Sequence, residues 1–190
     1  MTNVEDRVES PGTPREQLLQ PASRRDAFER LTQGRLDRAY RLAATILDGG
    51  AEAQDAVHDA AVQAWTRWGT LKDLRRFDAW FDRIVVNVCK DRLRRNATSS
   101  RKIAQLGQTP EADPTDPGDL HGGDEAMRRA IGTLSPEHKI VLALRFLDDL
   151  PIEDIAARTG LRAGTVKSRL HYALRELRAA YDAAQRPGGS

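Results

Sequence analysis

Hydrogen-bonding and cationic side chains recur along one face of a helix predicted near the C-terminal end of the chain. In the segment 162–175 they are interleaved with the apolar residues Val166, Leu170 and Ala173. The outward-facing set is Arg162, Thr165, Lys167, Ser168, Arg169, His171, Tyr172 and Arg175. All of these side chains form hydrogen bonds and half of them are cationic, which suits contacts to base edges and phosphates in a major groove. The pattern predicts a helix that recognises duplex DNA.

The residues before this helix predict the turn that would position it. Thr159, Gly160 and Leu161 follow a short apolar stripe that contains Ile152 and Ile155. Glycine adopts the left-handed backbone that a tight turn between helices requires. Upstream, Ser135 followed by proline is typical of a helix N-cap and first helical position. We therefore predict a helix-turn-helix.

The near-neutral total charge of +2 hides an uneven distribution. The segment 71–102 has ten basic and four acidic residues, and 158–178 has six basic and one acidic. By contrast, 48–64 has four acidic residues and 109–125 has six, and neither contains lysine or arginine. Two basic surfaces on separate parts of a chain suit a long polyanion contacted at two places.

Helical periodicity defines the predicted fold class, which is all-α with two small helical domains joined by a flexible acidic linker. We expect a flexible arm over 1–23, a first helical domain over 24–96, a linker over 97–124, a second domain over 125–184 and a disordered tail over 185–190. The segment 109–125 contains three prolines and three glycines besides its acids, so it has too few apolar residues for a core. Strand-like alternation and internal repeats are absent from the sequence.

Composition excludes several classes of protein. The sequence has no apolar run approaching the ~20 residues that span a bilayer, and its first residues lack the apolar core of a secretory signal. Its one cysteine, Cys89, provides neither an internal disulfide nor a cysteine-cluster metal site. We expect a cytoplasmic protein without membrane insertion.

Two sets of motifs resemble the sigma-70 family of RNA polymerase sigma factors. The string AIGTLSPEHKIVLALRFLDDLPIEDIAARTGLRAGTVKSRLHYALRELR closely resembles sigma region four, with GTVKSRLHYAL as its most diagnostic part. The strings FERLTQGRLDRAYRLAATIL, AEAQDAVHDAAVQAWTRW and FDAWFDRIVVNVCKDRLRR are similar to successive helices of sigma region two. The chain has no room for region three or for the N-terminal inhibitory region of primary sigma factors. This layout resembles the extracytoplasmic-function (ECF) group.

The resemblance implies a function and a set of partners. The protein would bind core RNA polymerase through the largest-subunit clamp helices and the flap, direct it to promoter DNA, and help to open the duplex. It would not be an enzyme, and it would have no cofactor, metal, small-molecule substrate or catalytic residue. An anti-sigma factor is a further expected partner.

The same resemblance assigns site residues by position. The polymerase-binding positions on the helix near 52–68 are Asp55, His58, Asp59, Gln63 and Trp65. The positions for recognising and melting the minus-ten element are Arg75, Arg76, Arg83, Asn87, Lys90 and Arg94, of which the first two lie in a loop that captures a flipped base. The positions for the minus-thirty-five element are Arg162, Thr165, Lys167, Ser168, Arg169, His171 and Arg175.

Three alternative functions stay open at the level of sequence. His58 and Asp59 resemble the metal-binding pair of HD-type phosphohydrolases, but that chemistry needs further ligands and only three other histidines exist. A stand-alone helix-turn-helix regulator would bind promoter duplex without polymerase, as a dimer on a palindrome. A helical interaction protein without a DNA role is disfavoured by the basic recognition-type helix.

Overall fold

The computed structural model describes residues 21–47, 49–105 and 125–185. For residues 21–23 and 99–105 it describes the main chain alone. Most of the predicted arm and linker, and all of the predicted tail but its first residue, lie outside these residues. The described chain consists of α1 (Pro21–Gln33), α2 (Leu36–Leu47), α3 (Gly50–Arg67), α4 (Phe77–Gln105), α5 (Glu125–Gly132), α6 (Pro136–Phe146), α7 (Ile152–Thr159) and α8 (Ala163–Gln185). Short 3-10 turns at Trp68–Thr70 and Leu74–Arg76 connect α3 to α4. The described residues contain no strand, which confirms the all-α prediction.

Two compact units divide the chain between Gly34 and Arg35. The first contains α1. The second contains α2 to α8 and both of the predicted helical domains. None of the helices in the described segments is long and apolar enough to cross a membrane.

The first domain within the second unit is a three-helix arrangement of α2, α3 and α4. Small residues at helical spacing on α3, Ala53, Ala56, Ala60 and Ala64, are completely buried and let this helix pack closely on its neighbours. An aromatic cluster closes one end, where the Phe77 and Phe81 rings stack with centroids 5.5 Å apart and the Trp68 ring meets Phe77 edge-on. These aromatic residues lie in the core, as their helical spacing predicts.

α4 is longer than its apolar stripe indicates. The stripe ends at Leu93, whereas the helix continues to Gln105 and so enters the segment predicted as linker. The residues from 97 to 105 contain no proline or glycine, so nothing in them terminates a helix that has already begun.

The second domain, α5 to α8, contains the predicted helix-turn-helix. The Ser135 hydroxyl accepts a hydrogen bond from the backbone N–H of His138 at 3.3 Å, and Pro136 occupies the first position of α6. Gly160 ends α7 with φ of 72°, and its N–H donates to the carbonyl of Ala156. Val166, Leu170 and Ala173 form the buried stripe of α8. The local signals that predicted this domain are therefore confirmed.

The two domains pack against each other within the second unit. α6 lies against α2, and α7 lies against α4. Three charged side chains, Arg35, Asp82 and Arg158, are buried where α7 meets the first domain. Buried charges are uncommon unless they are paired.

Candidate nucleic-acid interfaces and docking face

The recognition-type face of α8 is open to solvent. Arg162, Thr165, Lys167, Ser168, His171 and Arg175 are exposed, and Arg169 is half-buried. The Ser168 hydroxyl donates to the carbonyl of Gly164 at 3.0 Å. α8 therefore presents its predicted DNA-binding side chains together, on the face opposite its buried stripe.

Tyr172 is a member of this face that the predicted site did not include. Its side chain is exposed, and the Arg175 guanidinium carbon lies 5.6 Å from the centre of its ring. The His171 ring meets the same tyrosine edge-on at 5.5 Å. A cation over an aromatic ring is attracted to it, so Tyr172 restrains the direction of Arg175. The signal was present in the sequence, because Tyr172 belongs to the outward set.

On α4, four of the predicted minus-ten residues lie on one face. Arg83, Asn87, Lys90 and Arg94 follow one another at steps of four, three and four, which places them in a row along the helix. Arg83, Asn87 and Arg94 are exposed, and Arg94 forms an ion pair with Asp91 at 3.0 Å. This row is a cationic strip that could follow a nucleic-acid backbone.

Lys90 differs from the rest of the row because it is half-buried. The pKa of Lys90 is lowered, chiefly because burial disfavours the charged ammonium group. Arg169 on α8 acts in the same direction, whereas Glu137 on α6 opposes the shift. The proposed contact residues of the two domains are thus close enough to affect one another electrostatically.

The loop before α4 forms one wall of a cavity of about 540 Å³. Asp73 caps the turn in this loop by accepting from the backbone N–H and Nε of Arg75, both at 3.1 Å, and these bonds hold the pKa of Asp73 below its usual value. Arg75 and Arg76 are exposed. The residues around the cavity are Thr70, Leu71, Lys72, Asp73, Arg76, Ala79, Trp80, Arg83 and Ala157. A cavity with an aromatic wall and cations at its rim could hold an unstacked base.

The predicted docking residues lie on the outer side of α3. Asp55, His58 and Trp65 are exposed, whereas Asp59 and Gln63 are half-buried. Arg92 on α4 donates from Nη2 to Oδ2 of Asp59 at 2.6 Å, and its Nη1 lies 3.9 Å from Oδ2 of Asp55. Arg92 therefore orients the side chains of two of the five predicted docking residues, Asp55 and Asp59, from the neighbouring helix α4.

An apolar residue that the prediction missed completes this face. Val62 is 52% exposed and lies between His58 and Trp65 at helical spacing, and Trp65 is itself 42% exposed. The result is an apolar centre with an acidic border, a composition typical of protein interfaces. The sequence signal for Val62 was its spacing of four residues from His58.

The residues described by the structure contain no group of three or more His, Cys, Asp or Glu side chains that could hold a metal ion. The HD-type phosphohydrolase alternative therefore has no ligand set in this part of the chain.

Comparison with known proteins agrees with this geometry. The family model for sigma-70 region 2 matches residues 31–98, and that for sigma-70, region 4 matches 124–177. The RNA polymerase sigma-E factor of Streptomyces coelicolor is 31% identical over 151 residues, which cover 80% of this chain and 84% of that protein. The chain belongs to the sigma-70 family of RNA polymerase sigma factors.

Further relatives place this sigma factor in the ECF group. The sigma factor SigV of Bacillus subtilis is 30% identical, with 73% of this chain and 81% of that protein covered. The ECF RNA polymerase sigma factor SigL of Mycobacterium tuberculosis is 29% identical, with 73% and 80% covered. As a sigma factor, the protein binds core RNA polymerase and directs promoter-specific initiation of transcription, and its family is non-enzymatic.

Two solved structures have the same fold as this sigma factor. The sigma factor RpoE of Bartonella quintana, solved with the anti-sigma factor NepR, matches with a TM-score of 0.66 at 22% identity and covers 83% of this chain and 99% of its own. CnrH, solved with the cytosolic domain of CnrY, matches with a TM-score of 0.60 at 24% identity and covers 84% and 90%.

Proposed function

We propose that this sigma factor recognises its promoter through two surfaces, one on each domain. The exposed face of α8 binds the minus-thirty-five element as duplex, with the N-terminal part of the helix nearest the base edges. The row from Arg83 to Arg94 and the cavity beside Arg76 bind the melted minus-ten element. The observation that carries this proposal is the presence of a separate solvent-facing cationic surface on each domain, on helices matched by region 2 and region 4.

A substitution on α8 tests the upstream contact. Arg169→Ala should weaken promoter recognition by about 1–3 kcal/mol at one base pair if the guanidinium bonds a base edge. The readout is run-off transcription with purified core polymerase on a promoter library. Arg178→Ala removes the same charge from an exposed position beyond the predicted set, and it should leave the sequence preference unchanged.

Two results would contradict the upstream assignment. A loss of equal size on all sequences would mark Arg169 as a phosphate contact instead. Tight binding of a palindromic duplex by the protein without polymerase would favour a stand-alone regulator.

The outer side of α3 is the proposed docking face for the clamp helices of the largest polymerase subunit, and the second domain is proposed to contact the flap. Exposed tryptophan at the centre of an interface commonly accounts for much of the binding energy. Trp65→Ala should therefore weaken binding to core polymerase by roughly tenfold or more. Arg41→Ala, at an exposed position on α2, is the control and should bind as the parent does. Equal binding by both variants would remove α3 from the interface.

An anti-sigma factor and a cytoplasmic location complete the proposal. Support for the partner comes from the two solved relatives of the same fold, each of which is bound to another protein. Tagged sigma factor purified from uninduced cells should carry a second protein that inhibits transcription when it is added back. Cell fractionation should recover the sigma factor and this second protein in the cytoplasmic fraction, which also contains the polymerase. Recovery of the sigma factor without a second protein would contradict the proposal of an anti-sigma factor.

A further inference from the structure

One arginine of α4 points away from the row of predicted minus-ten residues. Arg92 is two residues from both Lys90 and Arg94, and residues two apart in a helix do not share a face. Its side chain is 18% exposed and lies against α3, where its Nη2 donates to Oδ2 of Asp59 at 2.6 Å. Its Nη1 lies 3.9 Å from Oδ2 of Asp55. Arg92 therefore belongs to the docking side of the first domain and not to its nucleic-acid side.

A second donor of α4 continues this contact one turn further along the helix. Asn96 follows Arg92 by four residues, and so lies on the same face. Its Nδ2 donates to Oε1 of Glu52 on α3 at 2.9 Å. The three acceptors Glu52, Asp55 and Asp59 follow one another on α3 at steps of three and four, and we call them the acidic row. Each member of the acidic row thus has a partner on α4.

The acidic row ends beside the apolar centre of the proposed docking face. Val62 follows Asp59 by three residues and is 52% exposed. The side chains of Asp55 and Asp59 are 75% and 46% exposed, so a partner can reach both while Arg92 holds them from the other side. Three acids against one arginine leave the row net negative, which suits a partner surface that carries cationic side chains.

Hydrogen bonding to the acidic row sets the direction of the Arg92 guanidinium. Its Nε is buried and has no hydrogen-bond partner among the described residues, so the bond from Nη2 to Asp59 orients the group. Because a guanidinium is planar and its donors form a rigid fork, it also fixes the carboxylates that it contacts. Without it, the aspartates would sample several rotamers, and binding would have to order them at a cost in affinity.

We propose that Arg92 and Asn96 are positioning residues for polymerase docking, which hold the acidic row in the arrangement that the polymerase binds. This role rests on the proposed assignment of the outer side of α3 to the polymerase, and it adds Glu52 to the docking residues. Charge and position act here with opposite signs. Loss of the Arg92 charge makes the row more negative, which strengthens attraction to a cationic surface, whereas loss of its fork disorders the carboxylates and weakens binding.

Equilibrium binding of the full-length chain to immobilised core polymerase tests this role. Arg92→Gln should weaken binding by roughly three- to tenfold, because two side chains lose their order before binding. The loss should persist at high salt, which screens exposed charges. Arg92→Lys keeps the charge without the fork and should recover part of the affinity. Arg95→Gln is the matched control, since it removes the same charge from an exposed side chain of α4 whose Nε donates to the carbonyl of Asp91. It should bind as the parent does.

A double-mutant cycle tests whether Arg92 acts through the aspartates. In a chain that carries Asp55→Asn and Asp59→Asn, Arg92→Gln should have no further effect on binding. Asn96→Ala should weaken binding by about twofold, and Glu52→Gln should abolish that difference. Helical circular dichroism and urea denaturation check the fold of every variant. If Arg92→Gln does not fold, Arg92→Lys and the exposed variant Asn96→Ala provide the same test.

Three results would overturn the proposal. Unchanged or tighter binding by folded Arg92→Gln would show that the direction of the carboxylates does not matter. A loss of equal size with and without the two aspartates would show that Arg92 does not act through them. A loss of equal size from Arg95→Gln would attribute the effect to the total charge of α4.

Two further variants distinguish this proposal from the proposed docking face itself. Parental binding by both Trp65→Ala and Asp59→Asn would remove the docking face, and the positioning role with it. Weaker binding by those two variants, together with parental binding by Arg92→Gln, would overturn the positioning role alone and leave the docking face in place.

Discussion

We expect Cys89 to be unreactive in the folded chain, because its side chain is completely buried. Burial among apolar side chains disfavours its thiolate and raises the pKa of the thiol to about 12, although the nearby Arg92 opposes that shift. We predict that iodoacetamide at pH 8 leaves Cys89 unmodified in native protein and modifies it completely in denaturant. Intact mass measures the extent of reaction, and the introduced thiol of Arg41→Cys is the positive control. Native-state modification of Cys89 at a rate similar to that control would contradict the prediction.

Among the described residues, Gly160 is the one glycine with a positive φ, a backbone conformation that other residues adopt only at a cost in free energy. Its φ of 72° is left-handed, and an added Cβ would also press on the end of the Arg83 side chain. We predict that Gly160→Ala lowers the free energy of unfolding by about 1–2 kcal/mol. Gly164→Ala is the control, since that glycine lies in the first turn of α8 with open space around it. The control should be neutral or slightly stabilising. Urea denaturation measures both, and equal effects would contradict the argument.

The sequence predicts some of these residues and not others. The turn at Gly160 and the cap at Ser135 depend on neighbouring residues, so a local pattern identifies them. Asp82 and Arg158 are 76 positions apart, and nothing local in either segment points to the other. An acid within an apolar helical stripe indicates a buried partner, but the sequence contains too many arginines to show which one.

A serine hydroxyl caps the start of α6. The Ser135 hydroxyl accepts from the N–H of His138 at 3.3 Å, and the same N–H also donates to the main-chain carbonyl of Ser135 at 3.0 Å. We predict that Ser135→Ala costs about 1 kcal/mol of stability. Ser168→Ala provides the comparison, because that hydroxyl is exposed and bonds a carbonyl one turn earlier within α8. It should change stability by less than about 0.5 kcal/mol. Thermal unfolding in the absence of DNA measures the stability of both variants. A larger loss of stability from Ser168→Ala than from Ser135→Ala would contradict the prediction.

Apolar periodicity predicts most of the helices because it reports which face each one buries. It locates α2, α3, α6, α7 and α8, and most of each stripe is buried, although Leu36, Trp65, Leu147 and Leu174 are exposed. It does not predict how far α4 continues, because the part beyond Leu93 lacks an apolar stripe. Beyond the core, the length of a helix depends on where a residue such as proline or glycine ends it. Apolar periodicity contains no information about such residues.

For the molecule as a whole, burial of Asp148 links stability to pH. Burial raises its pKa, with the Asp82 carboxylate acting in the same direction and the guanidinium groups of Arg38 and Arg35 opposing it. A raised pKa in the folded state means that the favourable contribution of this group is complete at acidic pH and is lost as pH rises through the folded-state value. We predict that Asp148→Asn gains stability relative to the parent as the pH rises above about 4.

Urea denaturation at a series of pH values measures this effect. Asp149→Asn is the control, because its side chain is 98% exposed and its left-handed φ of 47° is tolerated by asparagine. The difference in the free energy of unfolding between Asp149→Asn and the parent should be the same at every pH in the series. A constant difference between Asp148→Asn and the parent at every pH would contradict the prediction.

The domain order could be predicted from the sequence, but the packing of the domains on each other could not. Each domain carries its own local signals, and the family resemblance covers both. Their contact is made by ion pairs whose members look, in sequence, like the many solvated charges of a chain with 30 basic and 28 acidic residues. Which of them are desolvated depends on tertiary structure alone.

The pairing of Asp82 with arginines from both domains has a consequence for chimeric proteins. A hybrid that takes its first domain from this chain and its second from a relative inherits only one side of each contact. Unless the donor supplies an arginine in place of Arg158 and an acid in place of Asp148, which pairs with Arg38 of the first domain, the acquired domain has no matching anchor. Such a hybrid carries a new recognition helix and also lacks these buried pairs, so the two effects have to be separated before hybrids are compared.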